Sequence, residues 1–129
     1  MGSPNNLLYT DSHEWVRDEG NHITFGITDY AQRQLKDIVY VELPQVGSEF
    51  GRGENIGLVE SVKTVADLFC PMTGRFTEVN LTLKDHPQFV NEDPYSRGWM
   101  GRIAIADRAE LKGLLSADAY EHSLVLEEQ

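Results

Sequence analysis

From Asn55 to Cys70 the chain reads Asn-Ile-Gly-Leu-Val-Glu-Ser-Val-Lys-Thr-Val-Ala-Asp-Leu-Phe-Cys, two β-prone runs on either side of Ser61, Val62, Lys63 and Thr64. Asn55 to Glu60 and Val65 to Cys70 are long enough to pair, so the four central residues fall at the bend of a hairpin with Lys63 near its tip. A lysine there projects its amine away from the sheet, where an acylating enzyme reaches it without unfolding anything, and the strands behind it present a defined shape to recognise. Acylation removes the charge and leaves a long arm. For an arbitrary hairpin lysine, a solvated turn residue without function is the commoner outcome; the rest of the chain reverses that balance.

Working outward, the flanking segments predict more short strands. Leu7 to Trp15 and Ile23 to Ile27 are apolar and β-branched, broken by the charged, Gly20-containing stretch Arg17 to Asn21, which predicts a hairpin. Asp29 with Gln32 resembles a capping box opening a short helix that ends near Asp37. Ile38 to Leu43 alternates, which predicts a strand with Val39, Val41 and Leu43 on one face and Ile38, Tyr40 and Glu42 on the other, stopped by Pro44. The glycines of Val46 to Glu54 suit a tight connection, and Pro71 and Gly74 bracket a turn before a strand over Arg75 to Val79. Short helical turns over Leu81 to Val90, a loop over Asn91 to Gly98 and a strand over Trp99 to Ala106 follow. Asp107 with Glu110 and then Ser116 or Asp118 open closing helices. The expected organisation is a short flexible lead over 1–6 and one domain over 7–129.

The bulk properties narrow the function classes. With 21 acidic residues against 11 basic ones the formal net charge is −10, which disfavours non-specific attraction to nucleic acid or an anionic membrane face. No apolar run approaches a membrane span, and the N-terminus shows neither a signal-peptide core nor an arginine-rich transit pattern. The single Cys70 excludes an internal disulfide and a CxxC pair, and fits a reducing compartment. His13, His22, His86 and His122 show no close ligand spacing, so no metal site is expected. Trp15 and Trp99 are expected in the core or a cleft wall. Asn80-Leu81-Thr82 spells a glycosylation sequon without meaning in a reducing compartment.

Beyond the hairpin, Glu-Ser-Val-Lys at Glu60 to Lys63 resembles the lipoylation site of the glycine cleavage system H protein family. Ser12 to Val16 (Ser-His-Glu-Trp-Val), Gly26 to Gln32 (Gly-Ile-Thr-Asp-Tyr-Ala-Gln) and Asp37 to Pro44 (Asp-Ile-Val-Tyr-Val-Glu-Leu-Pro) resemble it too. So do Glu78 to Asn80 and Val90 to Tyr95 with Gly98 and Trp99. Order and spacing agree from about Leu8 to Tyr120. The resemblance implies a mainly β, barrel-sandwich hybrid fold with short peripheral and C-terminal helices, and lipoate in amide linkage to Lys63. Glu60, Ser61, Val62 and Thr64 would present the attachment hairpin for recognition. The arm would carry the aminomethyl intermediate of glycine breakdown between a pyridoxal-phosphate glycine decarboxylase, a tetrahydrofolate-dependent aminomethyltransferase and dihydrolipoyl dehydrogenase, after a lipoate-attaching enzyme has loaded it. The chain would be a non-catalytic carrier, in a bacterial cytoplasm or, as a processed eukaryotic form, a mitochondrial matrix. The loaded arm folds back into a cleft in this family, and Ser12, Glu14 and Asp67 match by position. Two departures stand out: Gln34 where some members have a histidine, and Arg97 where an acidic or small residue is expected.

Rival assignments fare less well. A biotinyl carrier calls for methionines beside the lysine, where this chain has Val62 and Thr64. Lipoyl domains of 2-oxo acid dehydrogenases usually read Asp-Lys-Ala at the tip and lack the Trp15 segment. A lipoyl-relay protein, handing its lipoyl group to other apoproteins, needs the same lysine and is the nearest alternative. An enzyme built on Cys70 lacks a motif supplying a base.

Overall fold

The computed structural model describes residues 3–127, and nine strands in two antiparallel sheets dominate it. The larger sheet is built from β1 (Leu8–Tyr9), β2 (Glu14–Asp18), β3 (His22–Ile27), β5 (Glu49–Phe50), β8 (Gly74–Val79) and β9 (Gly101–Ile105), in the order β1-β2-β3-β9-β8-β5. The smaller sheet holds β4 (Ile38–Glu42), β6 (Asn55–Ser61) and β7 (Val65–Phe69), in the order β4-β6-β7. The helices are short: α1 (Asp29–Leu35), α2 (Phe89–Glu92), α3 (Ala117–Glu127), and 3-10 turns at Leu81–Lys84 and Arg108–Gly113. This is the expected barrel-sandwich hybrid with helices at its periphery and C-terminus. The expected lead and the end of the expected domain include residues 1, 2, 128 and 129, which lie outside the described residues; Ser3 donates its backbone N–H to Glu121 of α3 at 2.8 Å.

The core lies between the sheets, where Val16, Ile23, Phe25, Val41, Val59, Leu68, Phe76 and Ile103 are buried together. A second cluster, Leu7, Tyr9, Trp15, Ala117, Tyr120 and Leu124, seats α3 against β1 and β2. Tyr9 and Tyr120 stack there with ring centroids 4.7 Å apart. A large apolar side chain such as Leu7 or Leu124 contributes about 1.5–3 kcal/mol by leaving water, so α3 is fixed by packing rather than by helix propensity. Trp15 is fully buried and its Nε1 donates to the Pro94 carbonyl at 2.9 Å. Its ring needs Gly26 opposite, because a Cβ there would sit 2.9 Å from Nε1.

Several local expectations change: the connection expected over Val46 to Glu54 contains the short strand β5, and three further differences bear on the site. The run Leu7 to Trp15 is two strands, because the chain reverses between β1 and β2 with His13 at φ 73°. The helix over 29–35 is capped by Thr28, whose Oγ1 accepts from Ala31 N–H at 3.2 Å, while Gln32 donates to the Asp29 side chain. The alternation expected along β4 fails at a register shift between Ile38 and Tyr40, which buries Ile38 and Val41 and leaves both Val39 and Tyr40 exposed. A β-bulge inserts one extra residue and so resets which face each later side chain takes.

Candidate functional site

The β6–β7 hairpin closes on a short turn built by one hydroxyl. Ser61 is buried, and its Oγ accepts the backbone N–H groups of Lys63 at 3.2 Å and Thr64 at 3.1 Å. Ser61 N–H donates to the Thr64 carbonyl at 2.8 Å, and Val62 N–H to the Asp37 carbonyl at 3.0 Å, which moors the turn to the start of β4. Asx- and Ser-type turns of this kind hold the backbone without using a sheet bond. Lys63 therefore stands exposed on a fixed turn, and among the described residues no ion pair reaches it. Glu60, Val62 and Thr64 are exposed around it; Ser61 is not, so it shapes the tip rather than presenting its own surface.

Ser12, Glu14 and Asp67 line one pocket of about 280 Å³ at the β7 edge of the smaller sheet. Ser12 and Glu14 come from the β1–β2 reversal and the first residue of β2, Asp67 from β7, and α1 closes the side with Tyr30, Ala31, Gln34 and Leu35. Glu14 is 2% exposed, and burial pushes its carboxyl above the ordinary carboxylate range. Thr10 Oγ1 at 2.6 Å and Ser12 Oγ at 2.7 Å both donate to its Oε1 and oppose that shift. Asp67 is exposed in the same lining, on the strand whose Phe69 backbone also hydrogen-bonds the Glu14 carboxyl. A buried acid with two hydroxyl donors beside an apolar wall accommodates a cation on an apolar stem, since a cation lowers the cost of ionising the acid.

His13 and Glu127 also line this pocket, and residue types alone did not single out either. The reversed backbone at His13 turns its ring toward α3, where Nδ1 lies 2.8 Å from the Tyr120 hydroxyl and Nε2 lies 3.2 Å from Glu127 Oε2. The Tyr120 hydroxyl is in turn 2.7 Å from Thr28 Oγ1, the cap of α1. One chain of polar contacts thus joins α3, the β1–β2 reversal and α1 around the pocket. The adjacency of His13 to Glu14 was the only available signal; Glu127 had none, because its place depends on where α3 lands. Gln34 sits in the lining, so the departure from a histidine falls at this pocket. Arg97 does not: it pairs with Asp93 at 3.3 Å and lies over the Phe89 ring at 4.4 Å.

The remaining chemistry-bearing residues are quiet. Cys70 is buried, its thiol lies 3.0 Å from the Met72 carbonyl, and burial pushes its pKa up to about 12, so it stays protonated and a poor nucleophile. Among the described residues no group of three His, Cys, Asp or Glu side chains is placed to hold a metal ion. None of their helices is long and apolar enough to cross a membrane. A larger cleft of about 710 Å³ runs between β4 and the 81–84 turn, with Trp99 in its wall.

Comparison with known proteins places this geometry. Residues 7–127 match the family described as Glycine cleavage H-protein. The chain is 49% identical over 124 residues to the glycine cleavage system H protein of Staphylococcus haemolyticus, covering 96% of this chain and 98% of that one. It is 52% identical over 121 residues to that of Geobacillus kaustophilus, covering 94% and 95%. A crystal structure of a glycine cleavage system H protein from Mycobacterium marinum superposes with a TM-score of 0.82 at 35% identity, over 94% of this chain and 98% of that one. The chain belongs to the glycine cleavage H-protein family.

Proposed function

We propose that this protein is the lipoyl carrier of a glycine cleavage system, with the lipoyl group in amide linkage to Lys63. The observation that carries this is an exposed amine, without an ion-pair partner among the described residues, on a rigid turn of the hairpin whose Val59, Ala66 and Asp67 line a carboxylate-bearing pocket. Asp67 lies on β7 two residues past its start at Val65, about 7 Å along the strand from the turn that carries Lys63. A lysyl-octanoyl chain of about a dozen bonds near 1.5 Å extends on the order of 14 Å. The arm is long enough to span that length.

When bound, the lipoyl group supplies a dithiolane that takes up the aminomethyl group and electrons of glycine decarboxylation and yields each to its acceptor. The chain's own residues bind and shield. Lys63 holds the group by an amide, Ser61 fixes the direction in which it leaves the sheet, and the apolar wall of Ile27, Leu35 and Val59 excludes water. Glu14 gives an ammonium at the arm's end a counter-charge, with Ser12 and Asp67 beside it. A charge-assisted hydrogen bond there contributes roughly 1.5–3 kcal/mol when water is excluded. The proposed partners are the glycine decarboxylase, the aminomethyltransferase, dihydrolipoyl dehydrogenase and a lipoate-attaching enzyme. The carrier raises the effective concentration of the tethered group at each, and in this reading catalysis lies in those partners; the protonated Cys70 argues only against an enzyme built on that thiol. A bacterial cytoplasm fits the bacterial relatives. The pocket favours the shuttle over a lipoyl-relay role, because a relay carries only a neutral acyl group and has no use for a buried acid.

The test is a reconstituted glycine cleavage assay with Lys63→Arg. The variant is expected to fold normally and to support no turnover, since a guanidinium does not form the amide; turnover at the unsubstituted rate would refute the assignment.

A further inference from the structure

We propose that the bulged start of β4, centred on Val39 and Tyr40, is the docking surface for the enzyme that acylates Lys63, an inference that rests on the carrier function above. Eight large apolar side chains are exposed among the described residues, and four of them, Val39 (49%), Tyr40 (44%), Val62 (66%) and Val65 (55%), gather at one end of the smaller sheet. The register shows why. Tyr40 pairs with Glu60, Glu60 pairs with Val65, and Ile38 pairs with Ser61, while Val62 N–H is bonded to the Asp37 carbonyl. All four therefore surround the turn that carries Lys63.

The bulge makes this arrangement a feature of the fold rather than an accident of composition. A regular strand would turn Val39 and Tyr40 to opposite faces. The register shift between Ile38 and Tyr40 instead sends Ile38 and Val41 into the core and both intervening apolar side chains into water. Bulges re-aim side chains and are enriched beside functional sites, and contiguous exposed apolar groups mark interaction sites.

The occupant follows from position and charge. An enzyme that acylates Nζ covers the tip, and the register sets these four side chains beside it. Asp37, Glu42 and Glu60 are exposed around them, against Lys36 beside Asp37 in the chain and Lys84 across the cleft that Tyr40 also lines, so carboxylates outnumber cations here apart from Lys63 itself. The fitting partner surface is an apolar depression with a rim of Lys or Arg, delivering an acyl adenylate. Lys63 Nζ, as the free amine, attacks the acyl carbon; the N–C bond forms, the acyl–phosphate bond breaks, the nucleoside monophosphate leaves with the electron pair, and one Nζ proton passes to solvent.

The experiment is steady-state acylation of the full chain by a lipoate-attaching enzyme with ATP and lipoate, comparing the unsubstituted protein, Val39→Ser/Tyr40→Ser, and Val125→Ser/Leu126→Ser, two equally exposed residues on α3. The β4 variant is expected to raise KM for the carrier about tenfold or more with kcat within about twofold, leaving the α3 variant unchanged. Labelling of Lys63 by N-hydroxysuccinimidyl acetate and the thermal midpoint report that amine and fold are intact; should the double variant unfold, Val39→Thr and Tyr40→His are measured singly. A KM within twofold of the unsubstituted value overturns the proposal. So does a variant acylated normally that only self-associates less, which gives the face to a second copy, or only turns over less with the glycine cleavage enzymes. Failure of the unsubstituted protein to be acylated at all overturns the carrier function itself, so the two failures are distinguishable.

Discussion

The Ser61 hydroxyl accepts the backbone N–H of Lys63 at 3.2 Å, tying the proposed attachment residue to a side chain buried two positions earlier. The same oxygen accepts from Thr64 N–H at 3.1 Å. Removing it leaves two part-buried donors to find water. Ser61→Ala is expected to cost about 1–2 kcal/mol, and to speed amide exchange at Lys63 and Thr64 relative to the body of β6. Hydrogen exchange read by NMR checks this, and unchanged protection at both amides would remove Ser61 from the turn's support.

Glu14 is an acid whose pKa is raised by burial, with the hydroxyls of Thr10 and Ser12 partly offsetting the rise. The folded protein therefore holds this proton more tightly than the unfolded chain does. Glu14 contributes stability at low pH that is lost as pH climbs from about 4.5, its ordinary value, through the raised one. Glu14→Gln keeps an acceptor for both hydroxyls and has no charge to bury. It is expected to flatten that part of the stability-versus-pH profile, at a level lowered by the loss of the backbone hydrogen bond that Phe69 gives the carboxylate. The same change is expected to weaken retention of a cationic arm about tenfold or more. Urea unfolding from pH 4 to 8 gives the first result; a parallel profile in the two proteins would contradict it.

Tyr120 joins the C-terminal helix to the pocket, its hydroxyl 2.8 Å from His13 Nδ1 and 2.7 Å from Thr28 Oγ1. Tyr120→Phe keeps the stack on Tyr9 but removes both contacts. The expected loss is about 1–2 kcal/mol, with chemical-shift changes at His13 and Thr28, two residues more than ninety positions away in sequence. Shifts confined to α3 would show that the helix and the pocket wall are independent.

How far these sites were legible depended on whether their signal was local. The hairpin around Lys63 was written in two β-prone runs with a polar break, and both strands form with Lys63 at the tip. The pairing of Ser12 and Glu14 with Asp67 came from a resemblance, because nothing in residue spacing says that the edge of β7 meets the first residue of β2. The bulge after Ile38 was invisible: Ile38 to Leu43 alternates well as a pattern, and only the pairing to β6 decides that Ile38 and Val41 share the core. The break in Leu7 to Trp15 was missed for a different reason. Thr10 to His13 holds no glycine or proline, and the left-handed residue there is a histidine. Glu127 reached the pocket through the docking of α3, a long-range event with no trace in its neighbours.

The most direct measurement is intact mass followed by peptide mapping of the protein after incubation with a lipoate-attaching enzyme, lipoate and ATP. A single lipoyl addition, carried only by the peptide containing Lys63 and absent from Lys63→Arg, is the predicted result. An unmodified Lys63, or the same addition on another lysine with Lys63 free, would contradict the account.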